Sequence, residues 1–146
     1  MTFRDLVGAE FDFLVREHGF ELAPEVPDSS SDAVLYRKSP LALHVGLYKG
    51  ELDVELFVDI EFTTSHPVFK PYLSRTFALH EVLRALGQRM TPVHESGGFI
   101  LTQEQTQQRL ASCARALKQH CVPLLHGDLT TLEEITKQRS GGGARS

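Results

Sequence analysis

The sequence predicts one α+β domain in which helices cover one face of an antiparallel sheet. Three observations predict this class: a helical apolar pattern at the start of the chain, two segments of strict two-residue alternation in its middle, and further helical patterns towards its end. We expect an N-terminal helix, a meander of three or four strands and then three helices packed on one sheet face. The domain is expected to span residues 1–139, and residues 140–146 to form a flexible C-terminal tail.

The N-terminal helix is predicted over about residues 3–18. Thr2 is a suitable N-cap, and Asp5 three residues later gives a near match to a capping box. Gly19 follows the last helical position and ends the helix. The apolar residues at helical spacing are Phe3, Val7, Phe11 and Leu14.

Two short strands are expected before the main sheet, at residues 20–26 and 33–37. Pro24 and Pro27 restrict the first to a sheet edge or an irregular entry, because proline cannot donate a ladder hydrogen bond. The polar residues 28–32 form the loop between them.

A β-hairpin between residues 41 and 62 is the clearest structural signal. Both of its strands alternate apolar and polar residues, and Lys49-Gly50 provides a two-residue turn. With this turn, paired residue numbers sum to 99, so that Leu47 faces Leu52 and every inward pair is apolar. A slip of one residue would place apolar against polar side chains throughout the hairpin.

Helical patterns follow two predicted loops. Thr102 with Gln105, and Thr130 with Glu133, are expected to form capping boxes for the second and third of these helices. Pro123 ends or kinks the second. The helices are predicted at about residues 76–86, 103–121 and 130–138, and the loops at about residues 63–75 and 88–101, the latter with a candidate strand at residues 99–101.

Composition limits the classes of function. A chain of 146 residues with 41% hydrophobic and 23% charged residues is typical of one globular domain and excludes a disordered one. No segment approaches the ~18 apolar residues of a membrane span, and the N-terminus lacks the basic start and apolar core of a signal peptide. The chain is therefore expected to be cytoplasmic, with no membrane partner.

The charge is unevenly distributed along the chain. Residues 1–70 carry six basic and thirteen acidic residues, a net charge of −7, whereas residues 71–146 carry nine basic and six acidic residues, a net charge of +3. The net charge of −4 argues against nucleic acid as a partner, because phosphate binding needs clustered positive charge. The acidic half would instead steer a basic partner towards itself.

The residues that carry most enzyme chemistry are not grouped in this sequence. No two of the seven histidines lie three to five residues apart, the spacing typical of a helical metal site. Cys113 and Cys121 fall on the apolar stripe of a predicted helix, where a thiol behaves as a small hydrophobe. We therefore predict no catalytic residue, no metal site and no cofactor. His44 opposite Glu55 is the one pair that the hairpin register brings into contact.

One row of the hairpin has no structural explanation. Strand alternation places four carboxylates and Phe57 on the outer face, about 6.6–7 Å apart, which suits recognition of a basic surface with the aromatic ring as contact. The other interpretation is a polar face that only keeps the sheet solvated. The candidate partner-binding residues are Asp53, Glu55, Phe57, Asp59, Glu61 and His44.

Three segments resemble a known group of proteins. They are FDFLVREHGFEL, VGLYKGELDVEL and LKQHCVPLLHGDLTTLEEI, within residues 11–135. The chain resembles small uncharacterised bacterial proteins, some of them encoded beside polymorphic or contact-dependent toxins and known as immunity proteins. The resemblance implies a single-domain cytosolic binding protein and brings no site residues with it.

The leading hypothesis is thus a non-enzymatic protein-binding domain of the toxin-neutralising type, using its acidic sheet face. The alternative is a small acidic dimeric chaperone of the secretion type, which would bind an extended effector segment. A third hypothesis is a small enzyme with a site assembled from dispersed residues such as His44, Glu55 and His66. The oligomeric state and the identity of the partner stay open.

Overall fold

In the computed structural model, the alternation of apolar and polar residues organises the middle of the chain into an antiparallel sheet. The structure describes residues 2–24, 32–48, 51–59, 76–88 and 102–145. Within these ranges the sheet is a meander of five strands, each hydrogen-bonded to the next in chain order. The expected α+β class is confirmed, with five strands in place of three or four. They are β1 (Glu21–Leu22), β2 (Asp32–Lys38), β3 (Leu41–Tyr48), β4 (Glu51–Val58) and β5 (Thr76–Ala78).

Helices pack on the inner face of this sheet. They are α1 (Phe3–Phe11), α2 (Phe13–His18), α3 (Leu79–Ala85), α4 (Gln103–His120), α5 (Val122–Leu125) and α6 (Thr130–Arg145). Helix α1 packs against β2 and α4, and α3 packs against β4, β5 and α6. The layered arrangement buries the apolar side chains of the helices and of the inner sheet face in one shared core.

The predicted hairpin register is confirmed. Strands β3 and β4 pair from Leu41 with Val58 to Tyr48 with Glu51, and each pair sums to 99. The turn at residues 49–50 and the predicted continuation of β4 over residues 60–62 lie outside the described residues.

The core forms between the inner face of the sheet and the helices. Ten inward-facing side chains of β2–β5 are at most 3% exposed, and Leu47 packs against them partly buried. Phe11 of α1 lies with its ring centroid 6.4 Å from that of Tyr36 on β2. Burial raises the pKa of Tyr36 to about 12. The inward-facing residues buried in this way are Val34, Tyr36, Leu41, Leu43, Val45, Leu52, Val54, Leu56, Val58 and Phe77.

The first predicted helix is interrupted once, at Asp12. Its capping box is confirmed, since Asp5 N–H donates to Thr2 Oγ1 (3.1 Å) and Thr2 N–H donates to Asp5 Oδ2 (3.0 Å). The carbonyl of Asp12 accepts from the N–H groups of both Val15 (3.0 Å) and Arg16 (3.1 Å). This local tightening of the hydrogen-bond pattern separates α1 from α2.

The helix predicted at residues 76–86 is wrong in its first turn. Residues Thr76–Ala78 are extended and form β5, with Phe77 opposite Leu56 of β4 and fully buried. Thr76 and Phe77 are good strand formers, and pairing with β4 outweighs the helical pattern that follows. Arg139 of α6 holds the segment by donating to the carbonyl oxygen of Thr76 (3.0 Å).

The capping box of α4 is confirmed, with Gln105 N–H donating to Thr102 Oγ1 (3.1 Å) and Thr102 N–H donating to Gln105 Oε1 (3.0 Å). Helix α4 ends at His120, before Pro123, as expected. The predicted loops at residues 63–75 and 88–101 fall largely outside the described residues, as does the candidate strand at residues 99–101.

The expected box at the start of the last helix is wrong. Asp128 caps this helix instead, since its carboxylate accepts from Thr130 N–H (3.0 Å). The helix also continues to Arg145, past the expected end at residue 138. Extension of an existing helix fixes only one further residue for each hydrogen bond gained.

Neighbouring residues on β4 offer a test of the two faces. We expect Leu56→Ala to lower the free energy of unfolding by about 2–5 kcal/mol, because the leucine is fully buried on the inner face. Glu55→Ala, on the outer face, should change it by less than about 0.5 kcal/mol. Urea denaturation measures both, and equal losses would mean that the faces are assigned incorrectly.

Candidate functional site

The outer face of the sheet carries the residues predicted to bind a partner. Because partner residues in adjacent strands lie side by side, the pairing defines two rows across this face. One row runs through β2, β3, β4 and β5 as Leu35, His44, Glu55 and Ala78. The next row runs through the same strands as Arg37, Ala42, Phe57 and Thr76.

The rings of His44 and Phe57 pack together at the centre of these rows. Their centroids are 5.9 Å apart and their planes are nearly perpendicular, at 88°. Such an edge-to-face arrangement is favourable for aromatic pairs. Both side chains are partly exposed, as is Glu55 next to them on β4. We call His44, Glu55 and Phe57 the outer patch.

Gly46 provides the space for the His44 ring. A Cβ atom on Gly46 would lie 2.8 Å from Cε1 of His44, closer than such atoms approach in proteins. The glycine therefore lets the imidazole lie along the strand, towards the position two residues ahead. In this orientation His44 Nδ1 is shielded from solvent and has no hydrogen-bond partner among the described residues. A buried polar atom of this kind usually has a partner.

His44 and Glu55 are strand partners, as the sequence predicted. Neither a hydrogen bond nor an ion pair joins their side chains in the described part of the chain, and the imidazole packs against Phe57 instead. The expected contact between a cation and a carboxylate is thus replaced by an aromatic contact, which leaves Glu55 to face solvent or a partner.

The remaining acidic residues differ from Glu55. Asp53 and Asp59 are both partly buried and both take part in interactions. Asp59 closes the end of the sheet, since its N–H donates to the carbonyl oxygen of Pro40 (2.8 Å) and its carboxylate accepts from the Ser39 hydroxyl (2.5 Å). Glu61, the last predicted member, lies outside the described residues.

The outer face is mixed in charge. Arg37 is exposed on β2, in the same row as Phe57, and its strand partner on β1 is Glu21. The sequence pattern of β4 alone did not reveal this arginine as a neighbour, because its place in the row depends on the pairing of β2 with β3. The outer patch therefore has a carboxylate on one side and a guanidinium on the other.

An open cleft adjoins this face at one end of the sheet. Its volume is about 480 Å³, and four of its lining residues are charged. Two are basic and two are acidic, so the cleft has no dominant charge. The charged lining residues are Glu21, Arg37, Lys38 and Asp59.

The two thiols are placed in the core. Cys113 and Cys121 are unpaired and buried, as the helical pattern predicted. Burial raises the pKa of Cys113 to about 12 and that of Cys121 to about 11, so both are protonated at neutral pH and are poor nucleophiles. Across the described ranges, no group of three or more histidine, cysteine, aspartate or glutamate side chains is arranged to hold a metal ion.

Comparisons with known proteins add no family to these observations. No family model, no curated protein and no solved structure matches the chain. Among the described helices, none is long and apolar enough to cross a membrane.

The packing of His44 over Gly46 makes a double-mutant test possible. We expect Gly46→Ala to destabilise the protein by about 1–2 kcal/mol, because the new methyl group displaces the imidazole. In a His44→Ala background the same change should stabilise it by about 0.5–1 kcal/mol, since alanine fits a strand better than glycine. Thermal and urea unfolding measure this coupling, and its absence would contradict the described position of the ring.

Proposed function

We propose that this chain is a non-enzymatic, cytoplasmic protein-binding domain whose outer patch docks on a basic surface of a partner. The observation that carries the proposal is the packing of a partly exposed Phe57 against His44, directly beside Glu55. An aromatic ring on the face opposite the core adds nothing to the packing of the helices. Rings in such settings are frequent centres of protein interfaces.

The geometry of the patch supports a recognition role. Phe57 and His44 form one contact area, because their rings pack edge to face and Gly46 leaves room for the imidazole. Glu55 supplies a carboxylate at the edge of this area, suited to a lysine or arginine of the partner.

The charge distribution supports a basic partner. The acidic half of the chain, residues 1–70, contains β1 to β4 and thus most of the outer face. On the outer face itself, Glu21, Asp53 and Glu55 stand against Arg37, and this acidic excess speeds the encounter with a positive surface at low ionic strength. Arg37 would pair with an acidic group at the rim of the same partner and fix its orientation.

The chemistry of the thiols supports a binding role over an enzymatic one, since both are buried and protonated. The resemblance of residues 11–135 to immunity proteins favours a toxin as the partner. The domain would neutralise a partner of this class by occupying the partner's basic surface.

The dimeric chaperone is the alternative function. If light scattering finds an obligate dimer, and this dimer binds extended peptides instead of a folded basic surface, the chaperone replaces this proposal.

A titration with a hexa-arginine peptide tests the docking surface with a probe that carries only the proposed charge. We expect the backbone amide shifts of the labelled protein to change mainly within β3 and β4, around His44 and Phe57. Glu55→Lys should weaken the binding about fivefold, the equivalent of ~1 kcal/mol. Raising the NaCl concentration from ~50 to ~300 mM should weaken it further, because the charges are exposed.

Glu134→Lys is the matched control. This glutamate is exposed on α6, in the helical layer, and its substitution changes the net charge by the same amount as Glu55→Lys. The proposal requires that Glu134→Lys leaves the shift pattern and most of the affinity intact. If both lysine variants weaken binding equally, or if the shifts map to the helices, net charge rather than the outer patch is responsible.

A further inference from the structure

Two histidine rings lie in contact where α2, α5 and β2 end. His18 lies in the last turn of α2, and His126 directly follows α5. Their ring centroids are 5.2 Å apart. On its other side, the His18 ring stands edge-on to Phe13, at 5.8 Å and 83°. His18 is thus held between an aromatic ring and a second imidazole.

Positive charge surrounds this pair. Lys38, at the end of β2, donates from Nζ to the carbonyl oxygen of Leu125 (3.1 Å), the residue before His126. The same ammonium lies 5.8 Å from the centroid of the Phe20 ring. Lys118 of α4 places its Nζ 4.7 Å from the centroid of Phe13, the ring against which His18 packs.

Negative charge near the pair is limited. Glu17, which precedes His18 on α2, raises the pKa of His18. Asp128, two residues after His126, is held by the N–H and the hydroxyl of Thr130 at the start of α6. The charged groups that act on His18 are therefore Lys38 from β2, Glu17 from α2 and His126 after α5, while Lys118 of α4 lies over the Phe13 ring.

Protonation of His18 is unfavourable in this setting. Burial lowers the pKa of His18, and the nearby His126 and Lys38 lower it further, against the opposing effect of Glu17. His18 Nδ1 is shielded from solvent and has no hydrogen-bond partner among the described residues. An open arrangement in which His18 is hydrated thus takes up a proton more readily. The closed contact is stable above the ordinary histidine pKa of 6.5 and loses stability as the pH falls below it.

We propose that the contact of His18 with His126 is an acid-sensitive joint, which holds α5 against the end of α2 at neutral pH and releases it in mild acid. A protonated His18 ring would lie in contact with His126 and close to Lys38, whose bond to Leu125 anchors the same segment, and this proximity favours opening. Release of α5 would expose Leu124 and Leu125, which are buried in the closed arrangement. The proposal is independent of the outer patch, which lies on the other face of the sheet.

Hydrogen exchange at two pH values tests the joint in the intact protein. From about pH 7.5 to about pH 5.5, we expect the opening of Val122–Leu125, corrected for the intrinsic pH dependence of exchange, to increase on the order of tenfold more than that of β3. His18→Gln should remove most of this excess, because burial of His18 is the main cause of its lowered pKa. His126→Gln should reduce it by a smaller amount, because only the effect of the neighbouring imidazole is lost.

His120→Gln is the matched control, since His120 lies in the last turn of the adjacent helix α4 and is not part of the ring contact. It should retain the acid response. Circular dichroism at neutral pH identifies a variant that fails to fold; the exposed position of His126 keeps at least one test variant usable. An acid response that persists in both His18→Gln and His126→Gln, or one that affects β3 equally, would overturn the proposal.

Discussion

The pairing of β3 with β4 is the constraint on which the rest of the structure depends. Each inward pair of this hairpin joins two apolar side chains, and all of those side chains are at least largely buried. A shift of one residue would place acidic side chains in the core, and no other interaction of the domain could offset the resulting loss of stability. The inner face then provides the surface on which the helices pack, with the ring contact of Phe11 and Tyr36 as one example.

The same register determines the outer face. Once Leu56 is inside, Glu55 and Phe57 must point outwards, and their strand partners His44 and Ala42 must lie beside them. Ala42 is only 6% exposed, although it faces outwards, because its neighbours across the sheet are the longer side chains Arg37 and Phe57. The core does not include the side chains of His44, Glu55 and Phe57. The recognition surface that we propose on this face would therefore cost the core no packing.

Local patterns predicted most of this architecture. The two-residue alternation of residues 41–58 specified the register, and the side-chain chemistry of Thr2 and Thr102 specified two helix starts, because each signal acts over a few residues. Strand β5 was missed for the opposite reason. Its three residues precede a helical pattern, and only the distant strand β4 favours their extended form.

The candidate site could be predicted in part. The sequence placed Glu55, Phe57 and His44 on one face, since alternation and register suffice for that. It did not predict that the imidazole would pack on Phe57 instead of pairing with Glu55, because this choice depends on the space above Gly46. It also missed the neighbouring Arg37 and the cap at Asp128, which arise from strand order and from the start of α6.

Cross-strand nuclear Overhauser effects between α-protons measure the hairpin register most directly. Closely spaced partners in an antiparallel pair have Cα atoms about 4.5 Å apart and give strong signals. The register requires that contacts across β3 and β4 connect residues whose numbers sum to 99, such as Val45 with Val54 and Leu43 with Leu56. A set of contacts displaced by one residue, such as Val45 with Glu55, would contradict both the core and the outer patch.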